Sequence, residues 1–300
     1  MRSWAWLFGV TPVLAAFFPG HLELGSPNFA NAAYATHETS SPSPRDVTRI
    51  ASGSLISDEL LFDLCPERLV AVSYVADQAH VTMLAGRVAS KLPRITANAE
   101  QILAVEPDLA VFSDFSSMQV EALVRSAGHS VARVRAPHDF DELLASIQLL
   151  GRQVGATNAA ANLSRDLTTR LAALARARPR KPFRTLLVQS GYAYAEGTLQ
   201  HDCLKRIGLD NALEPWHVHG TPALHQELFM LARPELVFVA SEKPEVHSES
   251  GSNLVERGIL PEAAARVPLI FSVPETWMGS LTHYGLRACE AYARVAGRLP

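Results

Sequence analysis

The chain has 300 residues, is 48% hydrophobic and 19% charged, and carries a net charge of −3. That length holds two domains with real cores. The slight acidic balance, with no sustained Lys/Arg track, excludes a nucleic-acid binder.

At the N-terminus Arg2 precedes an apolar run from Trp4 to Phe18, interrupted by Pro19 and Gly20. The run is too short for a bilayer span. With the small pair Ala33 and Ala35 downstream, it predicts a secretory signal over residues 1–35. Loss of Arg2 and Glu23 with that segment would leave the net charge unchanged. Residues 36–46, rich in Ser and Pro, read as a disordered leader.

From there short apolar runs alternate with helical patterns. Strands are predicted at 49–52, 68–73, 108–114 and 130–136, and again at 185–191, 235–241 and 268–274. They show little apolar–polar alternation, as strands buried on both faces of a parallel sheet should. "SDELLFDLC" reads as a helix with Ser57 as N-cap and acids in its first turn, and "SSMQVEALVRSAG" as one stopped by Gly128. Between residues 139 and 182 there is no strand signal. A helix precedes Gly151–Gly155. A second, capped by Thr157, spans about 157–178, with Leu163, Leu167, Leu171 and Leu174 on one face. Twenty residues of helix reach about 30 Å. The basic stretch "RARPRKPFR" that follows reads as a solvated helix end and linker. The plan is therefore an α/β lobe at 47–138, a helical connector at 139–182 and a second α/β lobe at 183–300.

Each lobe contains the same local pattern. "NAEQILAVEPDLAVFSD" begins at Asn98 and "HQELFMLARPELVFVAS" at His225. Glu100 and Glu227, and likewise Pro107 and Pro234, are 127 positions apart. In both, an acid opens a short helix, where it suits the positive end of the dipole, and a proline closes it before a strand.

The ligand crevice of a parallel sheet lies at its strand C-termini. The loops there hold Ser54, Tyr74, Asp77, Asp114, Phe115, Tyr192, Tyr194, Trp216, His217, His219, Glu275, Trp277 and Met278. The aromatic side chains suit a large, flat or greasy ligand. Tyr74, Phe115, Tyr192, Tyr194, Trp216, His217, His219, Glu275 and Trp277 are the candidate ligand contacts, with Tyr192, Trp216 and Trp277 foremost. If "WHVHG" is extended, His217 and His219 face the same side and could ligate a transition metal or a haem iron, although a bare metal site would need a third and fourth ligand that cannot be named. None of Cys65, Cys203 and Cys289 forms a CxxC. In an exported chain Cys203 and Cys289, both in the second half, could pair, leaving Cys65 as a buried thiol.

"RIASGSLISDELLFDLCPERLVAVS", "LPRITANAEQILAVEPDLAV", "DFDELLASIQLLGRQVG", "AEGTLQHDCLKRIGLDNAL" and "TPALHQELFMLARPELVFV" occur in this order over roughly 47–298. In order and spacing they resemble the periplasmic substrate-binding proteins of ABC importers for iron–siderophores, cobalamin and haem, the helical-backbone class. The resemblance implies two parallel-sheet lobes joined by one long α-helix, with the ligand cleft between them. It implies a periplasmic monomer that is not an enzyme, has no cofactor and does not span the membrane after processing. It would capture a metal chelate and deliver it to an ABC permease with its ATPase. It also implies that Glu100 and Glu227 dock on permease arginines, beside the plainer reading of both as first-turn helix acids. Where cobalamin-type members carry tryptophans this chain has Ser113 and Thr221, and "LPRITANAE" lacks the tyrosine of haem-type members. That leaves an iron–siderophore as the default cargo; haem, cobalamin or another large ligand is the alternative. An exported binding module without an importer is a further reading. A two-lobed enzyme is a weaker one, as GxSxG, GxGxxG, GxxxxGK and HExxH are all absent.

Overall fold

The computed structural model describes residues 47–96, 98–176, 178–179 and 181–299. The signal segment and leader expected at 1–46 lie outside the described residues. Among those described, no helix is long and apolar enough to cross a membrane.

The N-terminal lobe runs β1 (Ile50–Ser52), α1 (Leu55–Leu64), β2 (Leu69–Ser73), β3 (Arg94–Ile95), α2 (Ala99–Ala104), β4 (Leu109–Ser113), α3 (Met118–Ser126) and β5 (Ser130–Val134). Its five strands are ordered β3-β2-β1-β4-β5 and all pairings are parallel. The antiparallel helix pair α4 (Phe140–Gln153) and α5 (Thr157–Arg176) follows. The C-terminal lobe contains β6 (Arg184–Gln189), β7 (Tyr192–Ala193), α6 (Leu199–Ile207), β8 (Asp210–Asn211), α7 (Gln226–Ala232), β9 (Leu236–Ser241), β10 (His247–Ser248), α8 (Gly251–Glu256), β11 (Leu269–Pro274), α9 (Glu275–Met278) and α10 (Leu286–Ala296). Its sheet is mixed. The parallel core β11-β9-β6 carries antiparallel β10 and β7 at its edges, and β8 pairs the start of β6 in parallel.

Apolar residues explain the layering. In the first sheet Ile50, Leu69, Val72, Leu109 and Val111 face the long helices, while Ala51, Ala71, Ala110 and Phe112 face α2 and α3. In the second, Leu187, Leu236 and Phe238 face the long helices, while Leu186, Val188, Val237 and Val239 face α7 and α8. The helix-side core is continuous from Ile50 through Leu167, Leu171 and Leu174 of α5 to Tyr292 of α10. Each such side chain contributes roughly 1.5–3 kcal/mol by leaving water. The connector is thus part of the core of both lobes rather than a bare tether.

Two caps differ from expectation. Ser54, not Ser57, caps α1: its backbone is extended and its hydroxyl accepts from Ser57 N at 3.3 Å, while the Ser57 hydroxyl accepts from Ser54 N at 3.2 Å. Ser57 is the third residue of a capping box, so Asp58 and Glu59 fall on the buried face of the helix rather than serving as exposed dipole partners. Thr157 is the first residue of α5 rather than its cap, because Ala160 N donates to the Ala156 carbonyl.

The duplicated pattern folds the same way twice. Glu106 and Arg233, each preceding a proline, both adopt the left-handed conformation at φ 44°. A cation stabilises each turn: Arg49 Nε donates to the Glu106 carbonyl at 3.0 Å, and Arg184 Nε to the Arg233 carbonyl at 3.1 Å. An acid then fixes the adjoining strand, Asp108 accepting from Arg49 N at 2.8 Å and Glu235 from Arg184 N at 3.0 Å. At Asp108 desolvation is outweighed by bonds from Thr48 and then Arg49, and at Glu235 bonds from Arg184 and Lys181 outweigh it, holding both carboxyl groups below their ordinary range.

Cys203 on α6 and Cys289 on α10 form a disulfide, with Cα atoms 5.6 Å apart. Cys65 is a buried free thiol whose pKa burial pushes up to about 11.

Candidate functional site: a cleft edge lined by aromatics

Among the described residues the exposed aromatic side chains are Tyr74, Phe115, Tyr192 and Trp216. Tyr74 follows β2 and Phe115 follows β4 on one lobe; Tyr192 follows β6 and Trp216 follows β8 on the other. All four sit where a strand ends, on the side at which a parallel sheet offers its crevice. Leaving large rings in water forgoes burial energy, which makes this collection at strand ends the candidate site.

Local geometry explains the C-terminal rim. Ser190 and Gly191 both have positive φ, 50° and 81°, as a two-residue turn of the type I′ kind requires. The turn folds β7 back on β6, pairing Gln189 with Tyr192. The 216–224 segment then lies along this hairpin through Ala193 N to Pro222 O (2.9 Å), Ala195 N to Gly220 O (2.9 Å) and Glu196 N to Val218 O (3.2 Å). Tyr192, Trp216, His217 and His219 are thereby gathered on one edge.

The two histidines do not form a metal pair. His217 is left-handed at φ 50°, which breaks the extended backbone that would aim both rings the same way. His219 instead lies 3.8 Å from Glu196. Among the described residues no group of three or more His, Cys, Asp or Glu is arranged to hold a metal ion.

Other candidates take different places. Tyr194 turns inward: its hydroxyl donates to Gln189 Oε1 at 2.8 Å, it packs on the core, and burial raises its phenol. Its backbone stays on β6, Tyr194 N donating to the Leu187 carbonyl at 3.0 Å, while the side chain lies against the helix-side core. Met278 is fully buried. Asp77 is held by both Arg94 nitrogens at 2.8 Å. Asp114 accepts from Ala136 N at 3.0 Å, and Ser54 is the cap described above. Trp277 is half-buried against the core, with the Arg287 guanidinium 6.0 Å above its ring.

Glu275 is the most informative polar candidate. Its Oε1 is buried and has no hydrogen-bond partner among the described residues. Desolvation raises its carboxyl, His80 opposes the rise and Glu242 adds to it. His80 belongs to the loop after β2 of the other lobe. His80 is absent from the candidates drawn from sequence, although its place in a loop after a strand was a usable signal.

Glu100 and Glu227 occupy equivalent first turns of α2 and α7. Both are exposed, and the Glu227 side chain is 83% accessible. A helix that precedes a parallel strand runs antiparallel to it, starting at the strand's C-terminal end and finishing where the strand begins. Both acids therefore stand at the same end of their sheets as the aromatic loops. The Asn98 side chain accepts from Glu100 N at 2.8 Å, and His225 Nδ1 lies 3.6 Å from a Glu227 oxygen.

A separate concavity of about 520 Å³ opens between the end of α1, α5 and the start of α10. None of the candidate contacts lines it. Its charges are largely paired, Asp63 with His283 and Arg170 with Glu290, both at 2.8 Å. It lies on the helix side of the molecule, away from the exposed aromatics.

No protein-family model matches the chain, and no curated protein matches it in sequence. Solved structures do match. The apo periplasmic heme-binding protein RhuT from Roseiflexus sp. RS-1 superposes with a TM-score of 0.67 at 18% identity, covering 84% of this chain and 98% of its own. The heme-binding protein HutB of Vibrio cholerae gives 0.67 at 20%, covering 83% and 98%. The vitamin B12-binding protein BtuF of Vibrio cholerae gives 0.64 at 19%, covering 84% and 99%. The chain has the fold of two-lobed periplasmic binding proteins: two α/β lobes joined by a long helix, the architecture expected from sequence.

Proposed function

We propose that this chain is the periplasmic solute-binding component of an ABC importer. It captures a metal chelate of the iron–siderophore kind between its lobes and delivers it to a permease without transforming it. The observation that carries this reading is the placement of Tyr74, Phe115, Tyr192 and Trp216 as exposed rings at strand ends on both lobes. Solved proteins of this fold bind heme and vitamin B12, and one belongs to an Fe3+-hydroxamate transport system. Bulky ligands of this sort are buried efficiently by ring faces. The shared helix-side core keeps the change in lobe angle on binding small.

Protein purified from its native periplasm is expected to carry a ferric chelate, identifiable by absorption and mass. Titration of the emptied protein with a ferric trihydroxamate, haemin and cyanocobalamin should quench tryptophan emission with the first. Trp216→Ala should then weaken binding about 10–100-fold, as loss of a stacked ring does. Equal affinity in the variant for every chelate would remove Trp216 from the site.

Delivery has its own test. Glu100 and Glu227 stand on different lobes, and exposed charges of this kind act on encounter and register more than on affinity. Replacing both with Ala should leave chelate affinity unchanged and reduce uptake in cells at least tenfold. Normal uptake by the double variant would refute docking through these acids.

A further inference from the structure

Glu59 lies in the second turn of α1 and is 1% exposed. Its Oε1 accepts from the Thr82 hydroxyl of its own lobe at 2.8 Å. Its Oε2 accepts from two hydroxyls of the other lobe, Thr282 at 2.6 Å and Ser280 at 3.2 Å. One turn further along the helix, Asp63 Oδ2 accepts from Tyr284 at 2.6 Å and pairs with His283 Nε2 at 2.8 Å. Arg87 completes this second knot by donating to the Tyr284 hydroxyl at 2.8 Å. One face of α1 thus grips residues 280–284 of the opposite lobe at two successive turns.

That gripped segment begins two residues after α9, which carries Glu275 and Trp277. Within its own lobe α9 packs on β11, β9 and α10, and Gln200 Nε2 donates to the Met278 carbonyl at 2.8 Å. The tie between α9 and the N-terminal lobe runs through the grip of α1. A buried carboxyl is costly unless hydrogen-bonded, and desolvation raises Glu59 while the surrounding hydroxyls oppose the rise. Directed hydrogen bonds fix a geometry that apolar packing of the same volume would leave free to slide.

We propose that Glu59 is a positioning residue of the binding cleft. It pins the 280–284 segment to α1 and so holds α9, with Glu275 and Trp277, in register with the N-terminal lobe. This rests on the reading of α9 as one wall of the cleft. The lobes then meet the ligand already set at nearly their final angle, which favours binding by sparing the ordering cost.

The test needs no ligand, so its outcome is independent of whether the cargo has been identified. Spin labels are placed at exposed Ser126→Cys on α3 and Arg257→Cys just after α8, and the interlobe distance distribution is measured on the free, full-length protein. The parent should give one narrow distribution. Ser280→Ala with Thr282→Val removes the opposite-lobe hydroxyls and spares the acid; it should widen the distribution about twofold. Glu59→Gln should stay as narrow as the parent, because hydroxyls can accept from an amide as readily as they donate to a carboxylate. Denaturant melts of each variant separate loss of stability from loss of register. An unchanged width in the hydroxyl-deleted variant, whatever its stability, overturns the proposal. So does a Glu59→Gln protein as broad as that variant.

Discussion

Replacing Cys203 and Cys289 together with alanine is expected to lower unfolding free energy by about 4 kcal/mol. The disulfide joins α6 to α10 and closes a loop across 86 residues of sequence. In the chain-entropy account a cross-link of that span removes much of the freedom of the unfolded chain. The native state should change little, since both sulfurs already lie in the helix-side core, each residue 2% exposed. Alanine is the right replacement, because a serine hydroxyl there would add a buried polar group. Urea melts of oxidised protein, reduced protein and the double variant measure the effect. The reduced protein and the variant should unfold at similar, lower urea concentrations. Three coincident melts would show that the two cysteines are not linked in the folded protein. Cys65 complicates none of these: it is buried, and burial keeps its thiol protonated at neutral pH.

The long strands were legible because a buried parallel strand is an uninterrupted apolar run between polar breaks. "LVAVS" and "LVFVAS" have few other ways to fold in so regular an alternation with helices. The two-residue strands β3, β7, β8 and β10 were not, since no pattern can be read in two residues. β7 exists because Ser190 and Gly191 turn the chain; on the return Tyr192 is exposed and Tyr194 faces inward. The two tyrosines look equivalent in sequence, and only their surroundings in the fold distinguish them: the Tyr194 hydroxyl bonds Gln189, and Tyr192 is exposed. The duplicated segment showed that two matched lobes exist. It did not show that Arg49 and Arg184, which lie outside both quoted stretches, complete the motif in each. Glu59 illustrates the limit more sharply. In sequence it is an ordinary acid in a helix's first turns, and its partner Thr282 lies 223 positions away. Nothing local announces such a contact.

Asp58, beside Glu59 on α1, gives the second large effect, and it is a dependence on pH. The carboxyl is fully buried, and desolvation pushes its pKa up from 3.8 to about 7, with the hydrogen bonds from Ser52 and Ser73 opposing the rise and the charge of Glu59 adding to it. Between those two values the folded protein holds a proton that the unfolded chain has released. A raised carboxyl therefore contributes its full stability below about pH 4 and loses it as pH rises through 7. Each tenfold change in proton affinity is worth about 1.4 kcal/mol, so the loss is on the order of 4 kcal/mol. Carboxyl groups held low, such as Asp108 and Glu235, act in the opposite sense and lose stability as pH falls. The wild-type curve is the sum of both, and a single variant isolates Asp58. Asp58→Asn keeps the size of the side chain and one acceptor for Ser73, whose N–H reaches Asp58 Oδ1 at 3.1 Å. Its stability relative to wild type should rise by about 4 kcal/mol between pH 4 and pH 8, and most of the change should fall between pH 5 and 7. Urea melts of the two proteins at several pH values decide it. Parallel curves would mean that Asp58 titrates alike in the folded and unfolded chain, its hydrogen bonds cancelling desolvation, and would overturn the expectation.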